Sequence, residues 1–178
     1  MPGSRKSMAK PFLEERGLKL VAFEERHILP FASNLSPENV REFEALYAKS
    51  PIESLRSCLE MPMVFTVEKD GQPLAVTGLI MTTSCAQMWA LFSKDLRKHW
   101  VSFARASQKL IEYYHLMHPS IAADVWTENE MIHQWLVHLG FLPEAVIQAG
   151  NGQMVIRFVR CSPEQKSVQT TTLRPMLR

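Results

Sequence analysis

Apolar residues recur at two different periods along this chain, and the switches between them divide it into elements. Residues 18–26, LKLVAFEER, alternate as a half-buried strand does, and residues 27–34 read as a short helical turn. Ser36 places a capping hydroxyl ahead of Pro37, a proline at the first helical position, and Val40, Phe43, Leu46 and Tyr47 then mark an apolar helix face. Ser50, Pro51 and Glu53 repeat the signal as a capping box, opening a second helix that Pro62 stops.

Two β-rich runs follow around Asp70-Gly71, a pair that accepts the positive φ angles of a tight hairpin. The next run, AQMWALF over residues 86–92, carries no charge and predicts a central strand buried on both faces. A long helix is expected from Ser93, with Asp95 in its first turn and Leu96, Trp100, Phe103, Leu110, Tyr114 and Met117 at helical spacing. IAADVW is a fifth strand, Thr127 with Glu130 forms a further capping box, and Gly140 ends the short helix that follows. The last two strand-like runs flank Gly150-Asn151-Gly152. A long helix between two strands is a crossover that makes those strands parallel, whereas hairpins are antiparallel. The expected architecture is α/β: a mixed, mostly antiparallel sheet of about seven strands, helices on both faces, and one parallel crossover between strands four and five.

Composition narrows the class. The 178 residues suit one domain, and 46% hydrophobic with 21% charged residues is globular rather than disordered or fibrous. No apolar run approaches the ~20 residues of a membrane span, and no apolar stretch follows the basic start, so no membrane association is expected. Cys58, Cys85 and Cys161 are odd in number and widely spaced, which argues against a disulfide framework or a zinc knuckle. The net charge of +2 is uneven. Arg5, Lys6 and Lys10 give the first ten residues +3, while Lys166, Arg174 and Arg178 less Glu164 give the last eighteen +2, leaving −3 between. The chain thus divides into a basic arm over 1–16, a domain over 17–160 and a polar tail over 161–178. A weakly acidic body lacks the basic face of a nucleic-acid binder; contact with nucleic acid is expected only through the basic ends.

The order of elements, together with Asn129 after the fifth strand and the turn Leu139-Gly140-Phe141 closing the next helix, resembles the GNAT N-acetyltransferase superfamily. The match is firmest over 86–142 and looser from about 18 to 160. The resemblance implies acetyl-CoA as cofactor, held by backbone groups of Ala90, Leu91, Phe92 and Ser93, by the helix start with Arg97, Lys98 and Ser102, and by Asn129 on the pantetheine. Two departures accompany it. The family's pyrophosphate motif, [QR]-x-x-G-x-[GA], falls on Arg97 to Ser102, with Trp100 for the first glycine and Ser102 for the last small residue. Leu136 stands where many members carry a tyrosine that protonates the leaving thiolate. The general base is unassigned, with Glu24, Glu25 and Glu128 as candidates.

The run MWALFSKDLRKHWVSFARASQKLIEYY is further similar to the small GNAT-like internal virion proteins of short-tailed bacteriophages, which share the basic helix start without glycines and the leucine. This implies a phage protein acting in the bacterial host cytoplasm or in the virion, with virion components, a host protein or further copies of itself as partners.

Other constellations have plainer readings. His115 and His118 lie three apart on a helix without a supporting carboxylate, and His133 and His138 five apart, so no metal site is expected. Ser84 and Cys85 lack a glycine-flanked elbow, and Cys85 reads as a small buried residue. Trp89, Trp100, Trp126 and Trp135 read as core packing. Two functions remain: an acetyl-CoA-dependent N-acetyltransferase, and a GNAT-shaped protein without catalysis that serves as a virion component or binds a host factor.

Overall fold

The structure, a computed structural model, describes residues 11–47 and 49–163; the start of the expected basic arm and the tail from residue 164 lie outside the described residues. Eight strands form one sheet: β1 Leu13–Glu15, β2 Leu18–Ala22, β3 Val64–Lys69, β4 Gln72–Met81, β5 Ala86–Phe92, β6 Ser120–Trp126, β7 Leu142–Gln148 and β8 Met154–Cys161. Their order is β1-β2-β3-β4-β5-β6-β8-β7. Every pairing is antiparallel except β5 with β6, the crossover pair expected from the sequence. β1, joined to β2 through the turn at Arg16-Gly17, is the strand that the sequence pattern does not mark.

Among the described residues five α-helices cover the sheet: α1 Glu25–Ala32, α2 Pro37–Leu46, α3 Pro51–Ser57, α4 Trp100–Met117 and α5 Glu130–His138. On one face α4 and α5 bury Phe103, Leu110, Trp135 and Leu136 with Phe92 and Phe158 of the sheet. On the other, α1 and α3 bury Ile28, Phe31 and Leu55 with Val76. Each such side chain withdrawn from water contributes about 1.5–3 kcal/mol, and the two layers leave β4 buried from Pro73 to Leu79.

Four expectations are corrected. The doubly buried strand is β4 and not β5, in which Trp89, Ala90 and Leu91 remain half-buried because they border a cleft. The stretch read as a short turn after β2 is a full helix, α1, whose first turn is closed by a reciprocal cap between Glu24 and His27. The long helix does not start at Ser93: residues Lys94–His99 form a 3-10 helix, and α4 begins at Trp100. In that tighter coil positions three apart eclipse, so Lys98 Nζ meets Asp95 Oδ1 at 2.6 Å while Leu96 turns inward. Finally, α5 is capped by Asn129, whose Oδ1 accepts from the Ile132 amide at 3.4 Å, rather than by Thr127. Gly140 takes φ +84°, the left-handed conformation expected of it.

Candidate functional site

β5 pairs with β6 only at Ala86–Ile121 and Gln87–Ala122, whereas its ladder with β4 continues to Phe92. Beyond Gln87 the two parallel strands therefore part. Ser93 donates its amide to Leu74 C=O on the β4 side, while the Phe92 N–H and C=O point the opposite way. Two-residue alternation turns the Ala90 N–H and C=O the same way as those of Phe92, into the gap that β6 leaves.

An open cleft of about 180 Å³ lies here, bounded by Met88 to Leu91, by Ala123 to Val125 and by α2, α3 and α5. Its walls are mostly apolar with a few polar groups, the composition of a small-molecule site. Trp100 is not among its lining residues; its indole packs half-buried beside Phe103, with ring centroids 6.1 Å apart. Leu136, fully buried, forms part of the cleft wall.

The polar groups come from elements to which the sequence reading assigned no role. Glu42, on α2, accepts from the Trp126 amide at 3.2 Å through Oε1, and through Oε2 from Asn129 Nδ2 at 2.7 Å and Asn39 Nδ2 at 3.4 Å. Burial raises its pKa above the ordinary carboxylate value, and those hydrogen bonds only partly offset the effect. Tyr47, just past α2, also lines the cleft; desolvation, with the nearby charges of Glu42 and Asp124, raises its phenol pKa. Asp124 is bound by Arg157 across β6 and β8 with two bonds of 2.8 Å. Glu24, Glu25 and Glu128 do not line the cleft: Glu24 pairs with Arg26, Glu25 lies 3.7 Å from Arg56, and Glu128 is exposed. A pattern that could have found Glu42 is its spacing from Asn39, two polar residues three apart on the face that carries Phe43.

The residues that the resemblance assigned to a cofactor are placed unequally. Ala90 and Leu91 line the cleft. The Phe92 amide donates to Asn39 Oδ1 at 2.7 Å and its carbonyl accepts from the Ser36 amide at 2.9 Å. Asn129 is 2% exposed, with its oxygen on the α5 cap and its nitrogen on Glu42. Arg97 reaches Glu38 at 2.8 Å and Lys98 reaches Asp95. Ser102 lies in the first turn of α4.

A coenzyme A arm fits this site in one part. Ser93 Oγ, at the end of β5, and Trp135 Nε1, in the cleft wall, are buried without a hydrogen-bond partner, and such groups cost free energy until an acceptor or donor reaches them. Around Phe92 and Asn129 the fit is incomplete, because the chain itself holds the groups that would bind.

The remaining candidates are structural. His118 Nδ1 accepts from the Ser120 amide at 3.1 Å, and the His133 ring packs on Phe158. Cys85 is half-buried in a turn with Thr82, not fully buried as expected. Trp89 is also more than packing, since its half-buried indole borders the cleft. Among the described residues no group of three or more His, Cys, Asp or Glu is arranged to hold a metal, and no helix is long and apolar enough to cross a membrane.

No protein-family model matches the sequence, and no curated protein matches it. Solved structures do. A GNAT-family acetyltransferase from Bacillus anthracis aligns with TM-score 0.66 at 13% identity, over 83% of this chain and 96% of that one. Spermidine N-acetyltransferase from Vibrio cholerae, in complex with CoA and spermine, aligns with TM-score 0.61 at 17% identity, over 82% and 95%. Ribosomal-protein-S5-alanine acetyltransferase from Vibrio fischeri aligns with TM-score 0.59 at 13% identity, over 85% and 97%. At these identities the likeness establishes the fold, which is GNAT-like.

Proposed function

We propose that this protein is an acyl-CoA-dependent N-acyltransferase that takes its cofactor between β5 and β6. The observation that carries this reading is the parting of those strands after Gln87 and Ala122, which leaves the Ala90 backbone facing an open cleft. The backbone of Ala90 and Leu91, the Ser93 hydroxyl and the indole N–H of Trp135 are the groups that would hold the arm.

The cofactor, when bound, supplies an activated acyl thioester; the chain supplies proton handling and water exclusion. Glu42 is a carboxylate whose pKa burial raises, in a largely apolar wall, which makes it a stronger base toward an amine proton than an exposed carboxylate. Tyr47 keeps its proton on the same cleft and offers an acid that Leu136 does not. Asn129 and the Trp126 amide fix the Glu42 carboxylate in place.

The test is stability against acetyl-CoA. Cofactor at 100 times its dissociation constant adds ~2.7 kcal/mol to unfolding, and no shift in melting temperature at millimolar acetyl-CoA rejects the reading.

A second reading is favoured by Trp100 and Leu136, which replace the glycine and tyrosine of the family pattern, and by the pairing of Arg97 and Lys98 with carboxylates. It is a GNAT-fold protein of phage origin that has lost catalysis and serves in the virion or on a host factor. It requires stable assembly with particle proteins or a host protein; a monomeric chain that is absent from particles and turns over acetyl-CoA excludes it.

A further inference from the structure

The edge of β5 that faces away from β4 is already paired at its end, and its partner is the segment that opens α2. Three consecutive hydrogen bonds join them: Lys94 N–H to Asn34 C=O at 3.0 Å, Ser36 N–H to Phe92 C=O at 2.9 Å, and Phe92 N–H to the Asn39 carboxamide oxygen at 2.7 Å. Leu35 and Ser93 form an isolated antiparallel bridge between the first two. Outside this ladder, Asn34 Nδ2 donates to Asp95 at 2.7 Å and Arg97 donates to Glu38 at 2.8 Å. On the far side of the gap, Glu42 takes the Trp126 amide and the Asn129 nitrogen. From Asn34 to Asn39 the chain thus pairs with the end of β5, and Glu42, which lines the cleft, ties α2 to the β6–α5 junction on the other side.

We infer that the segment Asn34–Asn39 is an intramolecular plug, occupying with its backbone and the Asn39 carboxamide the edge of β5 that an acyl-CoA arm needs, so that the cofactor enters only when the segment lifts, while Glu42 keeps its bonds to Trp126 and Asn129. The inference rests on the acyl-CoA reading above. The chemistry of the mimicry is direct. An asparagine side chain is a primary amide, and its oxygen presents to the Phe92 N–H the same acceptor that an amide of a pantetheine arm presents. The charge of Arg97, which would meet a phosphate, is held by Glu38 of the segment, and that of Lys98 by Asp95 of its own 3-10 helix.

The plug is built to move. Within the segment Leu35, Ser36 and Asn39 are buried, and Leu35 is the large apolar one, packed in the core with Ile28 and Phe31, so lifting the segment withdraws one such side chain. Elements with few buried apolar contacts open at low free energy. Once lifted, the segment leaves Phe92 with a free donor and acceptor, and a ligand that satisfies both holds it open. Because the competent state is a minor fraction of the population, the apparent affinity of the resting chain is reduced by that fraction.

The experiment compares full-length wild-type protein with Asn39→Ala, using acetyl-CoA as the probe, calorimetry for affinity and hydrogen exchange of backbone amides for opening. Removing the carboxamide takes from the plug its side-chain bond to Phe92, along with those to Ser36 and Glu42, and the variant is expected to bind roughly tenfold more tightly. In the wild type, acetyl-CoA is expected to speed exchange in α2 while leaving β4 protected. Equal affinity of the two proteins, or unchanged or slower exchange in α2 on binding, overturns the plug and leaves the acyl-CoA reading standing. Failure of both folded proteins to bind at millimolar acetyl-CoA overturns the two together. Should Asn39→Ala not fold, exchange in the wild type decides alone.

Discussion

Trp89 lies against Gly78: a Cβ built on the glycine would stand 2.5 Å from the Cε2 and Cζ2 atoms of the indole. The two residues are register partners on β4 and β5, and the glycine lets the indole lie flat over the sheet where it borders the cleft. The absence of one side chain therefore shapes the site.

Gly78→Ala forces that ring to move. Overpacking of this kind costs about 1–3 kcal/mol, to be read as a lower denaturation midpoint. Combined with Trp89→Leu, the alanine should cost less than it does alone, and strict additivity would show that the ring contact is not the cause.

Glu42 makes stability depend on pH in a definite direction. Its folded pKa is raised, so the folded state binds the proton more tightly than the unfolded chain. The wild type should then gain stability as pH falls through the folded pKa, and the gain is complete below the unfolded value. Glu42→Gln cannot titrate. The difference in unfolding free energy between the two proteins should move in favour of the wild type from pH 7 to pH 4, and a flat difference contradicts the assignment.

His27 acts in the opposite sense. It is 1% exposed, its Nδ1 lies 3.0 Å from the Thr66 hydroxyl and its Nε2 lies 3.4 Å from Glu68, and Arg26 is a near neighbour. Desolvation, aided by Arg26, lowers its pKa against the pull of Glu68 and Glu24. A lowered folded pKa means that the unfolded chain takes up the proton first, so stability is lost as pH falls below about 6.5. His27→Gln should abolish that loss in an acid titration of unfolding free energy.

Asn129 serves a cap and a carboxylate at once. Asn129→Ala should cost about 1–3 kcal/mol, from the uncapped α5 and the unmet Glu42 oxygen. Asn129→Asp keeps a capping oxygen but sets a second carboxylate against Glu42. That variant should be weaker than Asn129→Ala at pH 8 and recover toward pH 5, and a pH-independent ranking would remove Glu42 from the explanation.

Period, punctuation and motif carried most of the architecture. Alternation marks β2, β-rich and uncharged runs mark β3 to β6, Asp70-Gly71 and Gly150-Asn151-Gly152 mark hairpins, Ser36 and Ser50 mark helix starts, and the helix between two strands marks the one parallel pair. These are local or nearest-neighbour effects, which a linear string contains. β1 escaped because three residues are too short a run to show a period, and the 3-10 start of α4 escaped because tertiary pull on Leu96 and Asp95 overrode a pattern that fits an α-helix equally well.

The site divides along the same line. Gly140 and the helix following β5 could be found from local pattern, and Asn129 from the family resemblance. That Glu42 on α2 would meet Asn129, 87 residues further along the chain, that β5 and β6 would part after two pairs, and that Asn39 would take the Phe92 amide could not. Each depends on where separate elements come to rest against one another, and residues with no periodic relation in the string are brought to hydrogen-bonding distance only by the assembled sheet and its packed helices.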